Sequence, residues 1–178
     1  MTVHSLTIFD RRGKTLFTKR YSSGSSQSKQ GQSAAEEAEQ LAEQRKLIFG
    51  MLFSLREIVG SLIPEGEPGG LLSVRTGAST IHNYETLSGL RFAMYTNNDV
   101  TKKYPGATSV RDALRHIYTE IWMECVVRSP LYRPGELQAA GEGGNENGGD
   151  SLMGRFEVGS TNFESRLDVY LRAMPWFR

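Results

Sequence analysis

The sequence predicts an α+β fold, a five-stranded sheet with helices on its faces, in the order strand, strand, helix, strand, strand, strand, helix, helix. Three observations lead there. Short alternating segments fall into two groups, two at the N-terminus and three in the middle, with connections short enough to favour antiparallel pairing. Three longer segments repeat apolar residues every three to four positions, and each opens with a capping-box sequence. Prolines 64, 130 and 175 stop those three segments.

Val3 to Phe9 reads as the first strand, with His4, Leu6 and Ile8 on one face and Val3, Thr7 and Phe9 on the other. Asp10-Arg-Arg-Gly13 is a tight turn in which glycine supplies the positive φ. Thr15 to Tyr21 returns, with Phe17 and Tyr21 on one face. Ser22 to Ser33 is rich in Ser, Gln and Gly and is expected to be a flexible insertion. Ser33-Ala-Ala-Glu36 caps a helix that runs to about Ile63, and Glu65 to Gly70 is a loop. Strands follow at Leu71 to Thr76, Thr80 to Glu85 and Leu90 to Thr96, with turns at Gly77-Ala78 and Leu87-Ser-Gly89. In the last strand Leu90, Phe92 and Met94 share a face. Ser109-Val-Arg-Asp112 opens a helix to about Ser129, with Val110, Leu114, Ile117, Ile121 and Cys125 in register. Tyr132 to Glu157 carries a Gly/Glu/Asn run too poor in apolar residues to order itself, a second expected flexible insertion. Thr161-Asn-Phe-Glu164 opens the last helix, which carries Phe163, Leu167, Tyr170, Leu171 and Met174.

At 178 residues the chain is expected to be one domain, 1–178, long enough for a sizeable core. Lys plus Arg number 21 and Asp plus Glu 20, a net charge of +1 that gives no reason to expect nucleic-acid binding or strong attraction to an anionic membrane. Mean hydropathy is −0.41, and the longest apolar run is broken by Gly50 and Ser54, too short to span a bilayer. The N-terminal residues lack a basic start, an apolar stretch and a small-residue cleavage site, so no signal peptide is expected. The single cysteine, Cys125, rules out an internal disulfide and fits a reducing compartment.

The most informative stretch is Lys46-Leu-Ile-Phe-Gly-Met-Leu-Phe-Ser-Leu-Arg56. A helix on a sheet needs one apolar stripe. Leu41, Ile48, Leu52, Leu55, Val59 and Leu62 already supply it. Leu47, Met51 and Ile58, with Ser54 among them, form a second stripe roughly 100° away, and Phe49 and Phe53 flank the first on its other side. The later helices could cover this surplus. A partner surface explains it as well and also explains Gly50, which costs about 1 kcal/mol against alanine in mid-helix but lets a neighbouring backbone approach. The expected interface is therefore Leu47, Gly50, Met51, Ser54 and Ile58, and Met51→Asp is expected to abolish co-purification with partners while leaving a folded chain.

No catalytic constellation is evident. The glycines of 141–149 lack the Gly-Lys-Ser/Thr ending of a phosphate loop. His4, His82 and His116 are scattered, and Glu120 after His116 reads as a helix-surface neighbour. Cys125 lies on a core stripe, and Asp10 and Asp112 have turn and capping roles. No catalytic residue, metal or cofactor is expected; a small enzyme would need a pocket around His82, or around His116 with Glu120. Arg11, Arg12 and Lys14 at the first turn, and Lys102 with Lys103 in a loop, read as solvated charge, or more sharply as a contact to an acidic partner or membrane surface.

Several stretches carry a family resemblance: Thr2-Val-His-Ser-Leu-Thr-Ile-Phe-Asp-Arg-Arg-Gly13, Leu47 to Arg56, Tyr84-Glu-Thr-Leu-Ser-Gly89, His116-Ile-Tyr118 and Phe163-Glu-Ser-Arg-Leu-Asp-Val-Tyr-Leu171. Together they resemble the smallest longin-like core subunit, of the Bet type, in the trafficking protein particle TRAPP. The insertions at 22–33 and 132–157 suggest a fungal version. The resemblance implies a longin, SNARE-like (profilin-like) antiparallel sheet with helices on both faces. It implies as partners a second longin-like subunit and α/β-type TRAPP subunits, and a Rab GTPase met through the assembled complex. The implied role is nucleotide exchange on that GTPase and vesicle tethering, in transport from endoplasmic reticulum to Golgi and in autophagy. The implied location is cytoplasmic, peripheral at the cis-Golgi and endoplasmic reticulum, with membrane association only through the complex. The alternative is a stand-alone longin regulatory domain of SNARE or adaptor type; a SNARE would continue into a heptad segment and an anchor, where this sequence stops at Arg178.

Overall fold

A computed structural model describes residues 3–21, 34–64, 69–77, 79–97, 108–130 and 158–177, with side chains from residue 39 onward in the first helix. Strands β1 (Val3–Phe9), β2 (Thr15–Arg20), β3 (Ser73–Thr76), β4 (Ser79–Glu85) and β5 (Arg91–Asn97) form one sheet of order β2-β1-β5-β4-β3. Every neighbouring pair is antiparallel, as predicted. Helix α1 spans Ala34–Leu62. Helix α2, Val110–His116, continues into a π-helical segment, Ile117–Val127, and helix α3 is Thr161–Arg172. The expected insertions at 22–33 and 132–157, the Ser33 cap of α1 and the Lys102–Lys103 loop lie outside the described residues.

β1 lies between β2 and β5 and supplies both cores, because alternate side chains leave opposite faces of a strand. Leu6 and Ile8 enter the cluster under α2, the π segment and α3; Phe9 enters the cluster under α1. Val3 joins Leu6 and Ile8, not Thr7 and Phe9 as simple alternation predicts. The pairing with β5 slips between Val3 and Ser5, and that extra residue turns Val3 to the other face.

A chain of aromatic contacts runs through the larger core. Phe17 meets Phe163 edge-on at 4.9 Å, Phe163 meets Trp122 at 5.3 Å, and Trp122 meets Phe92 at 6.0 Å. These offset and edge contacts suit the ring quadrupoles. Phe92, Trp122 and Phe163 are fully buried, as are Leu114, Ile117, Leu167 and Leu171. The predicted stripe through Cys125 is therefore core throughout, but the π-helical geometry was not foreseen. A wider turn keeps Ile121 with Trp122, and Cys125 with Val126, against the sheet together.

The turns and caps follow local chemistry. Asp10 Oδ1 accepts from the amides of Arg12 (2.8 Å) and Lys14 (2.7 Å), and Gly13 takes φ +84°. Thr86 closes the β4–β5 turn: its amide donates to Leu90 O at 2.9 Å and its Oγ1 accepts from Leu90 N at 3.0 Å. Ser109 Oγ accepts from the Asp112 amide, as predicted. For α3 the cap is one residue earlier than predicted: Ser160, not Thr161, accepts from the Phe163 amide. The predicted third strand is shorter than expected, since Leu71 and Leu72 offer only carbonyls to Asn83 and form no ladder of their own.

α3 is tied to β2 by polar contacts as well. Lys19 Nζ donates to Asp168 Oδ2 at 2.8 Å and Tyr21 OH donates to Asp168 Oδ1 at 3.2 Å. Burial, reinforced by the Asp168 carboxylate, raises the Tyr21 hydroxyl far above the usual tyrosine range, so it remains a donor.

Candidate functional site

Among the described helices α1 alone covers one face of the sheet, since α2, the π segment and α3 pack against the other. Its anchor is Leu52, fully buried beside Phe9, Ile81 and Ala93, with Ile48, Phe49 and Met51 packed around it. Only an arc of the helix is used in this way.

Four of the remaining apolar side chains stay largely in solvent. Leu47 is 68% exposed, Ile58 54%, Phe53 46% and Leu62 76%. Cover by the later helices is thus overturned: they lie across the sheet. Gly50 and Ser54, between Leu47 and Ile58 on the helix, are exposed too. Met51 is intermediate. It sits at the margin of the stripe and packs on the cluster of Phe9 and Leu52, so Met51→Asp would damage the fold as well as any interface. Of the expected core stripe only Leu52 is buried and Ile48 packs on its cluster; Leu41, Leu55 and Val59 are half-buried outside the cluster, and Leu62, the last helical residue, is exposed.

A Cβ added at Gly50 would meet nothing within 4 Å, and the same is true of Gly60. Nothing among the described residues therefore requires Gly50. Gly50→Ala is expected to raise the free chain's stability by about 0.4–1 kcal/mol, through helix propensity, in a thermal melt. The same variant should weaken association wherever a neighbouring backbone sits over that position.

His4, His116 and Cys125 have structural occupations. His4 pairs with the Asn97 side-chain oxygen and lies 5.3 Å from the Tyr95 ring. His116 stacks on Tyr170 of α3 at 4.4 Å rather than turning to Glu120. Burial, with the Asp112 charge, raises the Tyr170 hydroxyl. Cys125 is buried, and Arg166 reaches both its sulfur and the Glu124 carboxylate. Among the described residues no three His, Cys, Asp or Glu side chains converge as a metal site, and no helix is long and apolar enough to cross a membrane.

The profile of the Sybindin-like family matches residues 3–139. The chain belongs to that family. This Sybindin-like chain is 34% identical to trafficking protein particle complex subunit 1 of Homo sapiens over 177 residues, covering 99% of the chain and 97% of the relative. It is 30% identical to trafficking protein particle complex subunit BET5 of Saccharomyces cerevisiae over 174 residues, 98% of each. A Dictyostelium discoideum protein named trafficking protein particle complex subunit 1 is 26% identical over 177 residues. Relatives thus come from animals and an amoeba as well as yeasts, so the matches do not single out fungi. The Sybindin-like fold is the antiparallel sheet with helices that the sequence predicted. One feature escaped the sequence reading: Leu87, taken only as a turn residue, is wholly exposed at the β4–β5 tip. A leucine within a Thr-Leu-Ser-Gly turn was the available signal.

Proposed function

We propose that this chain is a core subunit of a TRAPP vesicle-tethering complex in the secretory pathway, and that the exposed stripe of α1 is an interface within it. The observation that carries the reading is the one-sided cover of α1, with Leu47 and Ile58 left in solvent on a helix that already has its core anchor. The names of relatives matched across nearly the whole chain support it. The interface comprises Leu47, Gly50, Met51, Ser54 and Ile58, with Leu62 extending it. Covering a half-exposed Leu or Ile side chain contributes about 1–2 kcal/mol at most, so several in a row are needed for a stable contact.

The neighbours in this reading are a second longin-like subunit and α/β-type TRAPP subunits. The assembled complex promotes nucleotide exchange on a Rab GTPase in transport from endoplasmic reticulum to Golgi and in autophagy, peripheral to those membranes. Exchange needs no bond chemistry from this chain. A surface that binds the nucleotide-poor GTPase more tightly than the loaded one expels the nucleotide. The chain is then not a catalyst alone. Native mass spectrometry of the affinity-tagged chain's complex tests this: a hetero-oligomer with longin-like and α/β subunits is expected, and recovery of the chain alone would overturn it.

A further inference from the structure

The other flank of α1 carries a second unpartnered surface of different chemistry. Four contacts bring its parts together. The Gly13 position faces the Phe49 ring so closely that an added Cβ would lie 2.6 Å from it. Phe49 stacks with Phe53, ring centroids 6.2 Å apart. The buried Arg91 guanidinium lies 5.1 Å from the Phe49 centroid. At the β4–β5 tip, a Cβ on Gly89 would meet Arg11 Cβ at 2.8 Å. The two hairpin tips and the Phe53 side of α1 therefore form one end of the domain.

That end exposes two apolar anchors, Phe53 and Leu87, beside the exposed side chains of Arg11 and Arg12. Its acids, Asp10, Glu57 and Glu85, keep their charge but are outnumbered by Arg11, Arg12, Lys14, Arg56 and Arg91. Asp10 turns its carboxylate onto backbone amides, and Glu85 Oε2 is shared by Arg56 Nε (3.2 Å) and Arg91 Nη2 (3.4 Å). The surface is thus locally basic on a chain of net charge only +1. Arginine and phenylalanine are residues that interface cores favour.

We propose that this end, built on Phe53, Leu87, Arg11 and Arg12, docks an acidic protein segment that carries leucine or aromatic anchors. Charge complementarity selects that occupant. A membrane surface is the weaker fit, because attraction to anionic lipid grows with each basic residue held at the surface and the chain as a whole is nearly neutral. Arg91 acts beneath the surface as a positioning residue, holding Phe49 from below and Glu85 from the side. The proposal is independent of the assembly reading, since Leu47 and Ile58 lie on the other flank.

The test is an NMR titration of the isotope-labelled full chain with a short peptide alternating Glu or Asp with Leu or Phe. Amide shifts are expected at Arg11, Arg12, Phe53 and Leu87 and not at Leu47 or Ile58. Leu87→Ser, and Arg11→Glu with Arg12→Glu, should each weaken binding about tenfold or more with an unchanged melting temperature. Both substitute exposed side chains, so loss of fold does not confound them. Shifts that ignore these substitutions, equal binding of a peptide with Gln in place of every acid, or binding only to phosphatidylcholine–phosphatidylserine vesicles would each overturn the proposal.

Discussion

A chain carrying Leu47→Asp and Ile58→Asp together is expected to fold normally and to lose its complex. Both side chains are more than half exposed, so the free chain gives up little burial and its melting point should stay within a few degrees. In the proposed assembly the same positions would be enclosed, and an unpaired carboxylate there would cost several kcal/mol on top of the lost apolar contact. An affinity loss of at least about a hundredfold, roughly 2.7 kcal/mol, follows. Co-purification with tagged partner subunits measures it. Full recovery of the complex from a folded double variant would remove the stripe from consideration as an interface.

Leu52→Ala is expected to have the largest effect on the chain itself. Among the described side chains of α1, Leu52 is the one buried completely, and Phe9, Ile81 and Ala93 share its cluster. Truncation of such a leucine destabilises by about 3–5 kcal/mol, a large share of the total for a domain of this size. The damage should be local in character. The aromatic core on the opposite face, from Phe17 through Phe163 and Trp122 to Phe92, does not touch Leu52. Native-state hydrogen exchange should therefore report faster opening in α1 than in α3. Uniform loss of protection would mean that the two faces are coupled more tightly than their separate clusters suggest.

Much of this architecture was legible because the signals were local. Asp10 and Gly13 specify the first turn, Ser109 caps α2, and Phe92 and Met94 alternate onto one face. Errors arose where a single residue shifts a pattern. The slip between Val3 and Ser5 reverses a side chain that period-two counting assigns to the other face. Ser160 outcompetes Thr161 for the cap, a difference of one position between two suitable hydroxyls. The π-helical segment has no compositional mark, because its apolar spacing also satisfies an α-helix. For the candidate site, sequence reading supplied the surplus stripe, but it could not rank the members. Depth decides that Leu47 and Ile58 face outward while Met51 leans inward, and depth depends on where the sheet lies beneath the helix. The juxtaposition of Arg11 with Gly89, and of Gly13 with Phe49, joins segments far apart in the chain and was visible only in three dimensions.

The most direct check is hydroxyl-radical footprinting of Leu47, Ile58 and Leu62 in the free chain and in the affinity-isolated assembly. Fast oxidation in the free chain and strong protection in the assembly are the expected pair of results. Equal oxidation in both states would contradict an α1 interface and leave the chain closer to a stand-alone regulatory domain.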